Sequence, residues 1–241
     1  MKAFLLAAGK GTRLKPYTDS HPKCLIPIHG VPLLKIWIDL LVKHGITEVL
    51  INTHCHVDEV MHFINKERAL TSLTIYTAFE PQLLGSAGTL WQNRNFVSDQ
   101  ETFIIAYADN LTNLNWTRML DFHHRIQTKG GVLTMGLIKV ANPRACGIVT
   151  LDSSNKIINF VEKPNKPESH LANGGVYVAN KRVFDFISML KTRHSEVLDL
   201  GYHVLPLMVG QMYGFDITPD YLRDIGTPGN YREALKQWPP K

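Results

Sequence analysis

Four cations, Lys10, Arg13, Lys15 and Lys23, stand in one stretch of glycines and prolines, "LLAAGKGTRLKPYTDSHPKCLIPI", at residues 5–28. Glycines let backbone N–H groups approach phosphate oxygens while lysine and arginine neutralise their charge, so the stretch is suited to phosphate chemistry. It is not a Walker A loop, because Phe4 stands five before Gly9 and Gly11 follows Lys10 where serine or threonine is required. Nor is it a dinucleotide fingerprint, because Leu14 stands where the third glycine would allow close helix packing. Pro16, Pro22 and Pro27 then exclude the helix that either motif would open. A long, proline-stiffened loop with these cations suits wrapping a triphosphate, and Lys23 reads as an exposed loop lysine. Taken one at a time, Lys10 and Lys15 read as solvated charges.

Other reactive clusters point to no second chemistry. The adjacent histidines of "HCH" (His54 and His56), and His123 with His124, point in different directions on a strand end or helix, so they read as structural rather than metal-binding. No Ser-His-Asp or G-x-S-x-G arrangement supports hydrolysis. The end of the second strand, "LINTHCH", lacks the acidic residue of a nicotinamide oxidoreductase.

Continuous apolar strands at residues 2–8, 48–53, 73–79 and 102–108 must carry this loop. Between them run helical patterns at 32–45, 57–67 and 85–97. Pro32 suits a first helical turn and Gly45 a helix stop. Trp37, Ile38, Leu40 and Leu41 read as that helix's core face. Strands alternating with helices predict an α/β fold, a Rossmann-like, mainly parallel sheet with helices on both faces. Ligands bind beyond the carboxyl ends of such strands, where the loop and "ADN" at 108–110 both fall. After a helix near 116–127 the texture turns to strands, "GVLTMGLIKV", "GIVTLD", "KIINFVEK" and "GGVYVA". Helical patterns near 181–190 and 197–209, a strand near 212–216 and a closing helix follow.

A chain of 241 residues with 44% hydrophobic residues can bury a full core. It reads as a single domain, with a nucleotide half over about 1–130 and a small β-rich second-substrate half over about 131–241. No apolar run reaches membrane-spanning length and no signal peptide opens the chain. The three widely spaced cysteines argue against a disulfide framework, so a cytoplasmic location is expected. In that compartment the sequons at Asn110 and Asn115 have no meaning. A net charge of +5, spread along the chain, requires no nucleic acid and fits a small phosphorylated substrate.

The pattern G-x-G-T-R-L-x-P-x-T, then P-K-x-L-x-P-I, followed in order by "ADN", "VEKP", "NGG" and "DIGT", resembles the sugar-phosphate nucleotidylyltransferase family over almost the whole chain. Within it the sequence is most similar to short guanylyltransferases of mannose 1-phosphate or heptose 1-phosphate. The resemblance implies an enzyme taking a nucleoside triphosphate and a sugar 1-phosphate, with Mg²⁺ as cofactor. Uridylyl or thymidylyl transfer to another hexose 1-phosphate is the alternative, as is a catalytically silent regulatory relative. The complete charged set, Arg13, Lys23, Asp109 and Asp224, favours the enzyme. No C-terminal β-helix domain is expected, and a homo-oligomer is compatible with the resemblance.

The same resemblance assigns residues. Ala8, Gly9 and Gly11 bring backbone close to base and phosphates, Thr12 and Arg13 hold the departing pyrophosphate, and Lys23 reaches the α-phosphate and the sugar phosphate. In "EPQLLGSAGTL", Gln82, Gly85 and Gly88 are the base-recognition candidates. Gly147, Glu162 and Asn173 match sugar-hydroxyl binders, Lys163 a sugar-phosphate ligand, and Gly174 a point of close approach. Asp109 and Asp224 are the expected Mg²⁺ ligands. Ala108 departs from the glycine usual before the metal aspartate, which narrows the space beside Asp109.

Overall fold

The computed structural model describes residues 1–191 and 197–239. The chain opens with β1 (Lys2–Leu6), runs through the glycine- and proline-rich loop in three short 3₁₀ turns, and forms the two-residue strands β2 (Pro27–Ile28) and β3 (Val31–Pro32). Then come α1 (Leu33–Lys43), β4 (Glu48–Thr53), α2 (Val57–Arg68), β5 (Thr74–Phe79), α3 (Ser86–Gln92), β6 (Thr102–Tyr107), β7 (Asn110–Thr112) and α4 (Trp116–Gln127). The remainder supplies β8 (Leu133–Lys139), β9 (Gly147–Leu151), β10 (Ile157–Glu162), β11 (Leu171–Asn180), α5 (Val183–Lys191), β12 (Met212–Asp216), β13 (Leu222–Asp224) and α6 (Pro228–Gln237). The fold is therefore mixed α/β with a large central sheet and flanking helices, as the alternating patterns predict. Among the described residues no helix is long and apolar enough to cross a membrane.

Contacts divide the chain into two compact units, Met1–Leu83 with Ala106–Leu114 and Pro219–Lys241, and Leu84–Ile105 with Asn115–Thr218. In the first unit β4 lies parallel to both β1 and β5. Parallel strands are buried on both faces, which is why β1 reads as the uninterrupted apolar run Ala3, Phe4, Leu5, all buried. Helix α1 buries Leu33, Leu34, Trp37, Ile38, Leu40 and Leu41, and the Trp37 indole N–H donates to the Asn110 carbonyl at 2.8 Å. That bond fixes the backbone next to Asp109. Gly45, at φ 71°, closes the helix, and the following Ile46 N–H returns to the Leu41 carbonyl at 3.0 Å. Strand β13 pairs antiparallel with β7, placing Asp224 opposite Asn110.

In the second unit β8 pairs antiparallel with β11 and parallel with β12, and β9 pairs antiparallel with β10. The β11–β8 register slips between Asn173 and Tyr177, a bulge of the kind that re-aims side chains beside sites. The helical pattern at 197–209 does not yield an α-helix. The Leu198 carbonyl accepts Ala87 N–H and Gly88 N–H at 2.9 and 3.1 Å, and Leu198 N–H donates to Leu84. These bonds hold the segment extended through Asp199, before a π-helical turn Leu200–Val204 and a 3₁₀ turn Leu205–Met208 that contains Pro206. Tertiary hydrogen bonds thus override local periodicity.

Helix α4 starts on an Asn115 cap, whose side chain accepts Arg118 N–H at 3.1 Å, and buries His123 completely. The His123 Nδ1 lies 3.0 Å from the Thr134 hydroxyl. Burial first, then the neighbouring His124, lowers its pKa from 6.5 to about 4. The native imidazole stays neutral while the unfolded one takes a proton below pH 6.5. Its contribution to stability is therefore complete above pH 6.5 and lost as pH falls through 4, roughly 3 kcal/mol in all. His123→Leu should accordingly lose less thermal stability between pH 6.5 and 4.5 than the parent, as read by scanning calorimetry. An equal loss in both would show that His123 is protonated in the native state.

Candidate active site

The glycine- and proline-rich loop leaves β1 under constraint. Ala7 N–H donates to Asn52 Oδ1 at 2.7 Å, and Asn52 Nδ2 donates to the buried Glu80 carboxylate at 2.8 Å. The loop's first residue is thereby fastened to the carboxyl ends of β4 and β5. Ala8 is buried, whereas Gly9 is exposed, with open space where a Cβ would stand. Gly11 is required twice over. Its φ is 68°, and a Cβ would stand 2.8 Å from the Thr18 methyl and 3.3 Å from Lys23 Cβ. Thr18 Oγ1 donates to the Gly11 carbonyl at 2.8 Å and locks that turn. Thr12 and Arg13 follow in an exposed 3₁₀ turn anchored by buried Leu14. Lys10 is exposed, and Lys15 forms a solvent-exposed ion pair with Asp19 at 2.9 Å.

Lys23 is not the exposed loop lysine that its surroundings in sequence suggest. Its side chain is 9% exposed, and Nζ lies 2.5 Å from Asp109 Oδ2 and 4.0 Å from Asp224 Oδ1. The loop folds back on itself at Gly11, which presses Lys23 inward. Asp109 stands in the turn between β6 and β7, held by Ala108 N–H donating to Leu6 O at 2.9 Å and Ile225 N–H donating to Asp109 O at 3.1 Å. Asp224 ends β13, and its Oδ1 accepts Gly226 N–H at 2.6 Å. Burial, then the charge of Asp109, push the Asp224 pKa up, against the opposing pull of Lys23, the Gly226 N–H and Arg13. Capping of the closing helix falls to Thr227, whose hydroxyl accepts Asn230 N–H at 3.2 Å, so Asp224 is not the cap of α6.

Two carboxylates whose charges raise each other's cost are the hard oxygen donors that Mg²⁺ selects, so the residues present fit that ion. Among the described residues no group of three or more His, Cys, Asp and Glu is gathered as for a closed metal site. The pair would leave most coordination positions to phosphate oxygens and water. The histidines of "HCH" are engaged elsewhere, His54 Nδ1 with the Glu80 carbonyl at 2.8 Å and His56 Nδ1 with Glu59 at 3.3 Å. Gln82 is exposed in the bend after β5.

In the second unit Gly85 opens α3 at φ 75°, and a Cβ there would fall on the Leu198 carbonyl. Gly88 is buried one helical turn along, where a Cβ would stand 3.0 Å from Leu84 Cβ, and its N–H is spent on Leu198. Both glycines thus have a packing reason to be glycine. Gly147 lies opposite Glu162 in the β9–β10 ladder, and a Cβ on it would stand 2.6 Å from Glu162 Oε2. Glu162 is half-buried, and burial together with the negative charge of Asp199 raises its pKa against the pull of Lys163. Lys163 takes a left-handed φ of 48°, donates its N–H to Cys146 O at 3.0 Å, and sets Nζ 5.1 Å from the Tyr202 ring centre. Asn173 Nδ2 donates to the Tyr177 hydroxyl at 2.7 Å, while its Oδ1 accepts Gly175 N–H at 2.9 Å. Gly174 lets β11 approach β8, since a Cβ there would stand 2.9 Å from the Gly136 carbonyl.

Tyr177, Asp199 and Ser86 join this second set without having been foreseen. Tyr177 stands an even number of residues from Asn173 in one strand, a spacing that could have flagged it. Asp199 gave only the weaker signal of an acid two residues before Gly201 inside a helical pattern.

The nucleotidyl transferase family model matches residues 2–239. The chain belongs to the nucleotidyl transferase family. It is 29% identical over 236 residues to a mannose-1-phosphate guanyltransferase of Debaryomyces hansenii, covering 96% of this chain and 62% of the relative. It is 30% identical over 255 residues to a UTP–glucose-1-phosphate uridylyltransferase of Synechocystis sp., covering 98% of this chain and 63% of that one. The chain thus spans less than two thirds of the length of these curated relatives. Its fold is also that of the crystal structure of HddC from Yersinia pseudotuberculosis, with a TM-score of 0.79, 21% identity and 98% of each chain covered. The nucleotidyl transferase match takes in the lysine and carboxylates of the first unit and the glutamate and asparagine of the second alike.

Proposed function

We propose that this nucleotidyl transferase joins a nucleoside triphosphate to a sugar 1-phosphate, with GTP and mannose 1-phosphate or heptose 1-phosphate as its substrates. The observation that carries the reading is Lys23, buried between Asp109 and Asp224 at the carboxyl end of the sheet strands. An oxygen of the sugar phosphate forms a bond to the α-phosphorus, the bond from that phosphorus to its β-bridging oxygen breaks, and pyrophosphate leaves. Such transfers are catalysed mainly by positioning and by stabilising charge. Lys23 neutralises the α-phosphate and the incoming sugar phosphate. Thr12, Arg13 and the Gly11 backbone hold the departing pyrophosphate, and Ala8 and Gly9 let base and phosphates lie close. Mg²⁺ held by Asp109 and Asp224 would offset the repulsion between the two phosphates.

Gln82 is the side chain offered for the base edge. Gly85 and Gly88 serve that side by letting α3 pack closely against Leu198 and Leu84, the Gly88 N–H being already bonded to the Leu198 carbonyl. On the sugar side Glu162 accepts from hydroxyls, Asn173 bonds them through its amide, and Lys163 pairs with the sugar phosphate, with Gly147 and Gly174 giving room. A single catalytic domain in the cytoplasm suits this reading, the three cysteines being thiols. The relative from Synechocystis keeps uridylyl transfer to a hexose 1-phosphate as the second reading.

A panel of nucleoside triphosphates against sugar 1-phosphates, read by pyrophosphate release, tests both. Release with a GTP and mannose or heptose 1-phosphate pair supports the first, and release only with a uridine or thymidine triphosphate supports the second. No release with any pair overturns the enzymatic reading in favour of a silent binding relative. Glu162→Ala and Asn173→Ala should each raise KM for the sugar 1-phosphate about tenfold, as expected for one lost hydrogen bond to a charged or buried group, and leave KM for the triphosphate within about twofold. Equal losses for both substrates would place these residues elsewhere.

A further inference from the structure

Asp199 precedes the π-helical turn Leu200–Val204, and its carboxylate is braced from two sides. Oδ2 accepts the Ser86 hydroxyl at 2.9 Å and Oδ1 accepts Tyr202 N–H at 3.1 Å. Ser86 Oγ accepts Leu200 N–H at 2.7 Å, and Asp199 N–H donates to His203 Nδ1 at 2.9 Å. The bracing selects one rotamer, yet a carboxylate oxygen has two lone pairs, so each oxygen can accept once more. π-Helical turns are rare and are frequent at functional sites.

Glu162 faces the same spot. Its Oε2 lies 2.8 Å from where a Cβ of Gly201 would stand, and Asp199 Oδ1 lies 3.2 Å from that point. With Gly147 on its other flank, the Glu162 carboxylate sits in a cradle that any larger residue at 147 or 201 would fill. Among the described residues nothing donates a hydrogen bond to it. Asp199 also raises its pKa, and both carboxylates act on the Tyr177 phenol in the same sense. Two half-buried carboxylates beside one another are costly unless donors are brought to them, and none of the described residues brings one to Glu162. Hydroxyls on adjacent sugar carbons lie about one hydrogen-bond length apart, and each can donate outward to one acceptor of just such a pair.

We propose that Asp199 and Glu162 together bind two neighbouring hydroxyls of the sugar 1-phosphate, Asp199 thereby deciding which sugars are accepted. This rests on the sugar 1-phosphate reading given above. The hydroxyl pair explains why Gly201 and Gly147 must be small, why Asp199 is braced, and why Glu162 lacks a donor within the described residues.

The test crosses enzyme variants with substrate analogues. Parent and Asp199→Asn are assayed with the preferred sugar 1-phosphate and its singly deoxygenated analogues, each for kcat and KM. The asparagine is of the same size and can keep both braces. The parent should lose at least tenfold in kcat/KM with two analogues deoxygenated at adjacent carbons. Asp199→Asn should lose about tenfold with the full sugar, chiefly in KM for the sugar, and nothing further with one of those two analogues. Ser86→Ala, which removes one brace, should show a smaller loss on the same analogue. Equal losses on every analogue would make Asp199 merely structural and overturn the proposal, as would an unchanged KM for the sugar. Should the parent release no pyrophosphate with any pair, the functional reading itself fails. An active parent with additive losses rejects the hydroxyl pair alone.

Discussion

Lys23→Ala should lower turnover by on the order of 10²–10³-fold in a chain that remains folded, because a preorganised charge aimed at the reacting phosphates is worth that much at the transition state. Lys23 is 9% exposed and is shared between two carboxylates, so its charge is fixed before substrate arrives and little reorganisation accompanies the reaction. Its loss also leaves Asp109 and Asp224 facing one another. Removing one partner of a fully buried pair costs several kcal/mol, but these carboxylates are 34% and 45% exposed and can be hydrated. The penalty to stability is accordingly about 1 kcal/mol, within the range of partly exposed pairs. Pyrophosphate release and urea unfolding measured on the same preparation separate the two effects. Near-normal release by the folded variant would remove Lys23 from the phosphate chemistry.

Asp224→Asn should fold normally, lose most activity, and need more Mg²⁺ for the activity that remains. Folding survives because the amide oxygen can still accept Gly226 N–H, and because the helix cap belongs to Thr227 rather than to Asp224. Activity does not, since Mg²⁺ bound through two carboxylates loses half its protein charge when one becomes an amide. Raising Mg²⁺ should recover part of the rate by mass action. Full activity with an unchanged Mg²⁺ dependence would leave Asp224 a turn residue and nothing more.

Where side-chain chemistry repeats locally, the sequence was legible. The apolar runs of β1, β4, β5 and β6 and the periodic face of α1 lie within two residues of their expected bounds; burial on both faces dictates β1, β4 and β6 and burial along one stripe dictates α1, while β5, with Tyr76 and Phe79 exposed, keeps its bounds by pairing with β4. Lys23 illustrates the limit. Its spacing in the motif marked it as reactive, yet nothing in a proline-rich neighbourhood reveals that a turn at Gly11 will bury it against residues far along the chain. Strands β7 and β13, three residues each, are too short to carry a period, and they exist because they pair with each other. Asp199 was hidden for the opposite reason. A convincing helical pattern surrounds it, and it is the backbone of α3, through Ala87 and Gly88, that keeps the segment extended.

The first unit is woven from three separate lengths of chain, Met1–Leu83, Ala106–Leu114 and Pro219–Lys241, and its carboxylate pair draws on the last two. During synthesis Lys23 and Asp109 therefore leave the ribosome well before Asp224. At roughly 5–20 residues per second the interval is on the order of ten seconds. The continuous run Asn115–Thr218 of the second unit emerges within that interval and can form its own hydrogen bonds first. The Lys23 cluster is thus completed only after that run has been made, and a chain stalled before β13 carries the lysine with only one of its two carboxylates.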